Sequence, residues 1–178
     1  WFKDCISLLL ELIVLVFLIV FSNSLIGQTK KEKKQLKKEK ANKEYVAIKE
    51  LINSEEYVFN GTWLTAQNGM RIDLSSSSNQ MEIKKDSANA SMQFFGEVRS
   101  IGFKDEGGIV FDNIIKDYKL AYNDKKQRIQ ISFNVRNKTE NFDISILVHK
   151  SGFAYVDIFS SHRSTINYEG NLSSIKKE

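Results

Sequence analysis

Two neighbouring runs alternate apolar and polar residues, with Leu147 as the one exception, and they constrain the fold more than any other feature of the chain. From Arg128 to Arg136, Ile129, Ile131, Phe133 and Val135 alternate with Gln130, Ser132 and Asn134. From Asn141 to His149, Phe142, Ile144, Ile146 and Val148 oppose Asp143, Ser145 and His149. A period of two is the signature of a strand with one buried face. Asn137-Lys138-Thr139-Glu140 between the runs is a loop of hairpin length. A third strand, Phe153–Ser160, follows the short turn Lys150-Ser151-Gly152.

Weaker alternation predicts strands at Tyr57–Ala66, Met70–Leu74, Gln80–Lys84, Ser91–Phe95, Ile109–Asp112, Ile115–Asn123 and Ser164–Tyr168. Proline is absent, so Gly, Asn, Asp and Ser mark the turns. The connections are too short for parallel crossovers, which need a dozen residues or more. The fold class expected is therefore all-β, an antiparallel meander curled into a barrel, a curved half-barrel or a sandwich.

One strand is apolar on both faces. Ala154, Val156 and Ile158 point one way, and Phe153, Tyr155 and Phe159 the other. Such a face needs cover, and the best candidate lies upstream. Residues 29–53 lack Gly and Pro and are rich in helix formers. Ala41, Tyr45, Ile48, Leu51 and Ile52 make a helical stripe, expected to lie on the second face of Phe153–Ser160. A partner or an apolar ligand is the alternative cover.

The net charge of +4 resides in that helix: Lys30 to Glu50 hold nine lysines against four glutamates. From Leu51 onward, sixteen basic residues balance sixteen acidic ones, so the folded part is neutral and does not resemble a nucleic-acid reader. The lysines read as a solvated spacer, or as a weak contact for anionic lipid.

Ahead of the helix, Ile6 to Phe21 is apolar except for Ser7 and Glu11, and small residues follow. The expected organisation is a signal peptide over 1–28, the lysine-rich helix over 29–53, a β domain over 54–173 and a flexible tail over 174–178. An uncleaved membrane anchor is the alternative for 1–28, since lysines beyond an apolar span hold that side in the cytoplasm. Gln28 stands where a lipoprotein signal needs cysteine, so a soluble periplasmic or otherwise exported protein without a lipid anchor is expected.

Cysteine-based chemistry has no residue to use, because the one cysteine, Cys5, lies in the apolar segment. His149 and His162, the two histidines, fall at opposite ends of the Asn141–Ser160 hairpin, about 30 Å apart at roughly 3.3 Å per residue. A shared metal or proton relay is excluded. No nucleophile elbow or phosphate-binding glycine loop occurs. No catalytic residue, metal or cofactor is expected, and Asp73, Glu97, Asp143 and Asp157 are carboxylates with no evident pairing.

Tyr57-Val58-Phe59, then Phe94-Phe95-Gly96, then Gly108-Ile109-Val110-Phe111 before Asp117-Tyr118, and finally Arg163-Ser164-Thr165-Ile166-Asn167-Tyr168-Glu169-Gly170 stand in a suggestive order. In this order they resemble the bacterial domain-of-unknown-function family numbered 4251, over about Lys43 to Ser173. The resemblance implies an exported protein of a kind typical of Bacteroidetes, with no established activity to carry over. The family's Pro-Tyr-Phe-Gly signature stands here as Gln93-Phe94-Phe95-Gly96, without the proline and without the tyrosine hydroxyl. If that hydroxyl serves a ligand, the contact is lost here; if the motif packs a bend, Phe serves.

Phe94, Phe95, Arg163 and Tyr168 are the candidate ligand-binding residues. Arg163 either grips an anion at a rim or pairs with an internal carboxylate while Tyr168 packs at a barrel end. The function expected is non-catalytic binding of a small or lipophilic ligand by an envelope protein, a monomer, with an enclosed apolar cavity inside the barrel. An interaction module presenting its sheet to another envelope protein is the alternative, and a hydrolase-type enzyme the third reading.

Overall fold

The computed structural model describes residues 30–99, 107–138 and 140–175. The expected signal or anchor over 1–28 lies outside the described residues. The chain forms two units, Trp1–Asn42 and Lys43–Glu178. Helix α1, residues 30–53, begins in the first. Its residues 30–40 are all exposed, Leu36 included, as their lysine content dictates.

The second unit is one ten-stranded sheet. Its strands are β1 (Glu56–Ala66), β2 (Arg71–Asp73), β3 (Gln80–Lys84), β4 (Ser87–Met92), β5 (Ile109–Ile114), β6 (Lys116–Asn123), β7 (Arg128–Arg136), β8 (Asn141–His149), β9 (Phe153–Ser160) and β10 (Ile166–Ser174). The order is β5-β4-β3-β1-β10-β9-β8-β7-β6, with every pair antiparallel. β2 and β3 share one side of β1, where the loop Leu74–Asn79 interrupts what is otherwise a single partner strand.

The order is thus a meander whose first and last strands pair. The two sheet edges, β5 and β6, are joined through Ile115. The Asn113 amide donates to the Arg136 carbonyl at 2.9 Å, and the Asn137 amide to the Val110 carbonyl at 2.8 Å. These bonds lean β5 onto the end of β7 and leave a nearly closed barrel.

All the inward residues of β7 and β8 foreseen from alternation are buried. The β1–β10 pairing depends on close backbone approach. Gly61 and Gly170 are register partners, and a Cβ on Gly170 would overlap the Asn60 carbonyl while meeting the Phe59 ring at 2.9 Å. Phe59 occupies the space a side chain would need.

The interior is filled. Tyr57, Phe59, Phe111, Phe133, Phe142 and Tyr168 are fully buried there, with Ile, Leu and Met between them. Each contributes about 1.5–3 kcal/mol by leaving water. The enclosed-cavity form of the binding reading is overturned: bulky aromatics occupy the space a ligand would take.

The cover expected from α1 is corrected too. Tyr155 is 41% exposed and Phe159 48%, so the helix does not lie over the outer face of β9. Its last turns seal one end of the barrel instead. Ile52 is fully buried, Ile48 packs at Gly152 in the β8–β9 turn, and the Tyr45 hydroxyl donates to Asp124 in the β6–β7 turn at 2.9 Å. An open barrel end exposes more apolar surface than one aromatic stripe, so plugging it is the larger gain.

Candidate functional site

At the barrel end away from the helix, the segment after β4 crosses the mouth as a strap. Its sequence, Gln93-Phe94-Phe95-Gly96-Glu97-Val98-Arg99, lacks alternation and forms no regular strand. Hydrogen bonds to the segment that leads into β10 hold it instead. Val98 bridges Arg163, the Arg99 amide donates to the His162 carbonyl at 2.7 Å, and the Ser164 amide donates to the Glu97 carbonyl at 2.8 Å. The Glu97 amide donates to Ser164 Oγ at 2.9 Å.

Gly96 is where strap and barrel come closest. A Cβ there would overlap Ser164 Oγ and stand 2.5 Å from Phe94 Cζ. The signature glycine is required by this contact and by no turn.

Beneath the strap lies a buried ion pair. Arg163 Nε donates to both carboxylate oxygens of Glu140 at 3.1 Å, and the side chains are 4% and 2% exposed. Charge-assisted bonds of this kind are the strong ones. Ser160 Oγ also donates to Glu140, and the Arg163 guanidinium stands 5.0 Å from the centre of the Phe94 ring, within cation–π range. Tyr168 is fully buried, and its hydroxyl donates to the Gln93 carbonyl at 2.6 Å. Burial pushes the Tyr168 phenol up, against the opposing pull of Arg163, so it stays a neutral donor.

The structure therefore brings Phe94, Phe95, Arg163 and Tyr168 together in one place. Three of them form its floor: Tyr168 anchors the strap, and Phe94 and Arg163 stack under it. With its side chain 4% exposed and its Nε given to Glu140, Arg163 belongs to the interior and not to the rim. Phe95 alone projects outward, at 43% exposure, into a cleft of about 340 Å³. Gln67 and Asn68 from the β1–β2 turn, with Gly96, Glu97, Arg99 and Ser164, complete the lining. The Arg99 guanidinium donates to Gln67 Oε1 at 2.5 Å, tying strap to turn.

Sequence reasoning missed Glu140. It stands at the end of a polar turn, and no local pattern marks such a carboxylate as buried. The histidines stand as expected at opposite ends of the sheet: His149 pairs with Arg128 in the β7–β8 register, and His162 lies under the strap. Burial and, to a smaller degree, the Arg128 charge hold His149 below the ordinary histidine range.

Among the described residues, no helix is long and apolar enough to cross a membrane. No curated protein matches the chain. Among solved structures, it is similar to a DUF4251 family protein from Bacteroides eggerthii. That crystal structure shares 17% identity, with a TM-score of 0.58 over 74% of this chain and 87% of the other. At this identity the likeness speaks for the fold. The family model described as "Domain of unknown function (DUF4251)" matches residues 39–172, close to the span expected from the motifs. The chain belongs to this family.

Proposed function

We propose that the protein is a non-catalytic binding domain of the cell envelope that takes a small ligand at the barrel mouth, above the strap. The observation that carries this reading is Phe95, a large aromatic left exposed over a cleft whose floor is fixed by a buried ion pair, a buried tyrosine and a glycine contact. Rigid support under one exposed aromatic and several polar groups is how pre-formed ligand sites are built. The apolar segment Ile6–Phe21 supports export.

Native mass spectrometry of the protein purified from its own host tests this. A retained small molecule is expected in the wild type and lost in Phe95→Ala. Absence of any retained mass, or equal retention by the variant, refutes it.

The outer face of β9 favours a second reading, an interaction module. His149, Phe153 and Tyr155 form an aromatic cluster with ring centres 5.1 to 6.4 Å apart, and Trp63 is 37% exposed. Exposed aromatics of this kind are enriched at interfaces. Loss of a co-purifying envelope protein in Tyr155→Ser would favour this reading over the first.

A further inference from the structure

On the outer wall of the barrel, one residue from each of four adjacent strands falls into a single cross-strand file. Phe159 of β9 is the register partner of Asp143 of β8, Asp143 of Asn134 of β7, and Asn134 of Lys116 of β6. An aromatic ring, a carboxylate, an amide and an ammonium thus stand in a row. Two positions along the same face, Arg136 and Asn141 form a second, parallel row that ends near Ser161. Together they line an open cleft of about 490 Å³.

A β-bulge shapes the far side of this cleft. The β6–β7 register slips between Lys116 and Lys119, and Asp117 takes a positive φ of 53°. A bulge re-aims side chains. Here it turns Tyr118 inward, stacked on Phe133 with ring centres 6.3 Å apart, and leaves Asp117 on the cleft. The Asn134 amide donates to the Asp143 carboxylate at 3.3 Å, and Asp117 lines the cleft beside it.

The cleft's charges cancel: Lys116 and Arg136 against Asp117 and Asp143. Among the described residues, the Lys116 and Arg136 side chains have no ion-pair partner. Phe159 is the one large apolar surface, 48% exposed, at one end of the file. A charged ligand would meet as much repulsion as attraction here. An apolar ligand would strip water from four charges with nothing to replace it. A ligand with one apolar flat face and many hydroxyls satisfies every group, because hydroxyls both donate and accept.

From these observations we infer that the outer face of β6 to β9 binds a neutral oligosaccharide. One pyranose ring stacks on Phe159, and its hydroxyls and those of the next rings bond Asp143, Asn134, Asp117 and Arg136. Three strand spacings of roughly 4.8 Å make the file about 14 Å long, room for about two or three linked sugar rings. This site is separate from the strap cleft and does not depend on it.

Isothermal titration of the full chain with maltotriose, cellotriose, mannotriose and triacetylchitotriose provides the test. At least one of these neutral trisaccharides is expected to bind, with an affinity unchanged between low and high salt. Phe159→Ala and Asp143→Asn should each weaken binding about tenfold or more. Phe95→Ala should leave it intact. Thermal melting is expected to match the wild type for Asp143→Asn, which keeps the site's shape. The inference is overturned if none of the four binds. Equal binding by the Phe159 and Asp143 variants also overturns it. So does binding only to a charged peptide such as trilysine or triaspartate, weakened by salt.

Discussion

Arg163 and Glu140 share a fork of two 3.1 Å contacts from one guanidinium nitrogen, in a setting that leaves the two side chains 4% and 2% exposed. Removing one partner strands the other charge in an apolar medium. Glu140→Ala is therefore expected to cost about 3–5 kcal/mol, and a double change of Glu140→Leu with Arg163→Met markedly less. Urea denaturation of the two variants measures the difference. Equal losses in both would show that the pair carries no stranded-charge penalty.

Gly96→Ala forces a methyl into Ser164 Oγ and the Phe94 ring. Overpacking of this kind costs about 1–3 kcal/mol. The strap should yield first, so amide exchange at Glu97 and Arg99 is expected to quicken before that of β7 or β8. Gly170→Ala opposes backbone, the Asn60 carbonyl, which cannot swing aside. Its loss of stability is expected to exceed that of Gly96→Ala in the same denaturation series.

Ile52 has no exposed surface although it lies on a helix outside the sheet. Ile52→Ala should cost about 2–5 kcal/mol, as at a core strand position. Tyr45→Phe removes the hydroxyl bond to Asp124 and the longer one to the Arg128 carbonyl, and should cost about 0.5–1.5 kcal/mol. In the wild type, burial first and the Asp124 bond second push the Tyr45 phenol up to about 12. Ultraviolet titration should accordingly find the ionisation of Tyr45 delayed above the ordinary tyrosine value of 10, as burial also delays that of Tyr57, Tyr118 and Tyr168.

His149 is held below the ordinary histidine value, by burial first and by Arg128 second. Its neutral form is favoured in the fold, so its contribution to stability is complete above about pH 6.5 and is lost as pH falls through the lower folded value. Proton NMR titration should place its midpoint below 6.5. Arg128→Gln should raise that midpoint part of the way back, because burial remains. A midpoint at or above 6.5 in the wild type would contradict this.

β7, β8 and β9 run to the residue as the sequence predicts, β7 and β8 from their alternation and β9 from an apolar run bounded by a short turn. The pattern predicts β4 at Ser91–Phe95, whereas it runs Ser87–Met92, because its inward residues Ala88 and Ala90 are too small to register as an apolar period. The sequence predicts an end to β10 at Tyr168, because Glu169-Gly170-Asn171 has the composition of a turn, whereas the strand continues to Ser174. Gly170 serves close approach to β1 instead. The helix stripe was visible but its destination was not, since a plugged barrel end is made by three turns remote from one another in sequence. At the mouth, the motif order found the strap and Arg163. Glu140 escaped notice because burial of a charge depends on a partner that only the closed sheet supplies.

The pairing of β1 with β10 joins Tyr57 to Ser174, at opposite ends of the domain. The sheet's central seam cannot form until nearly the whole chain has been synthesised. Non-local closure of this kind makes folding slow. A nascent chain therefore lacks its closing seam until the last strand has been made, and only then reaches its final shape.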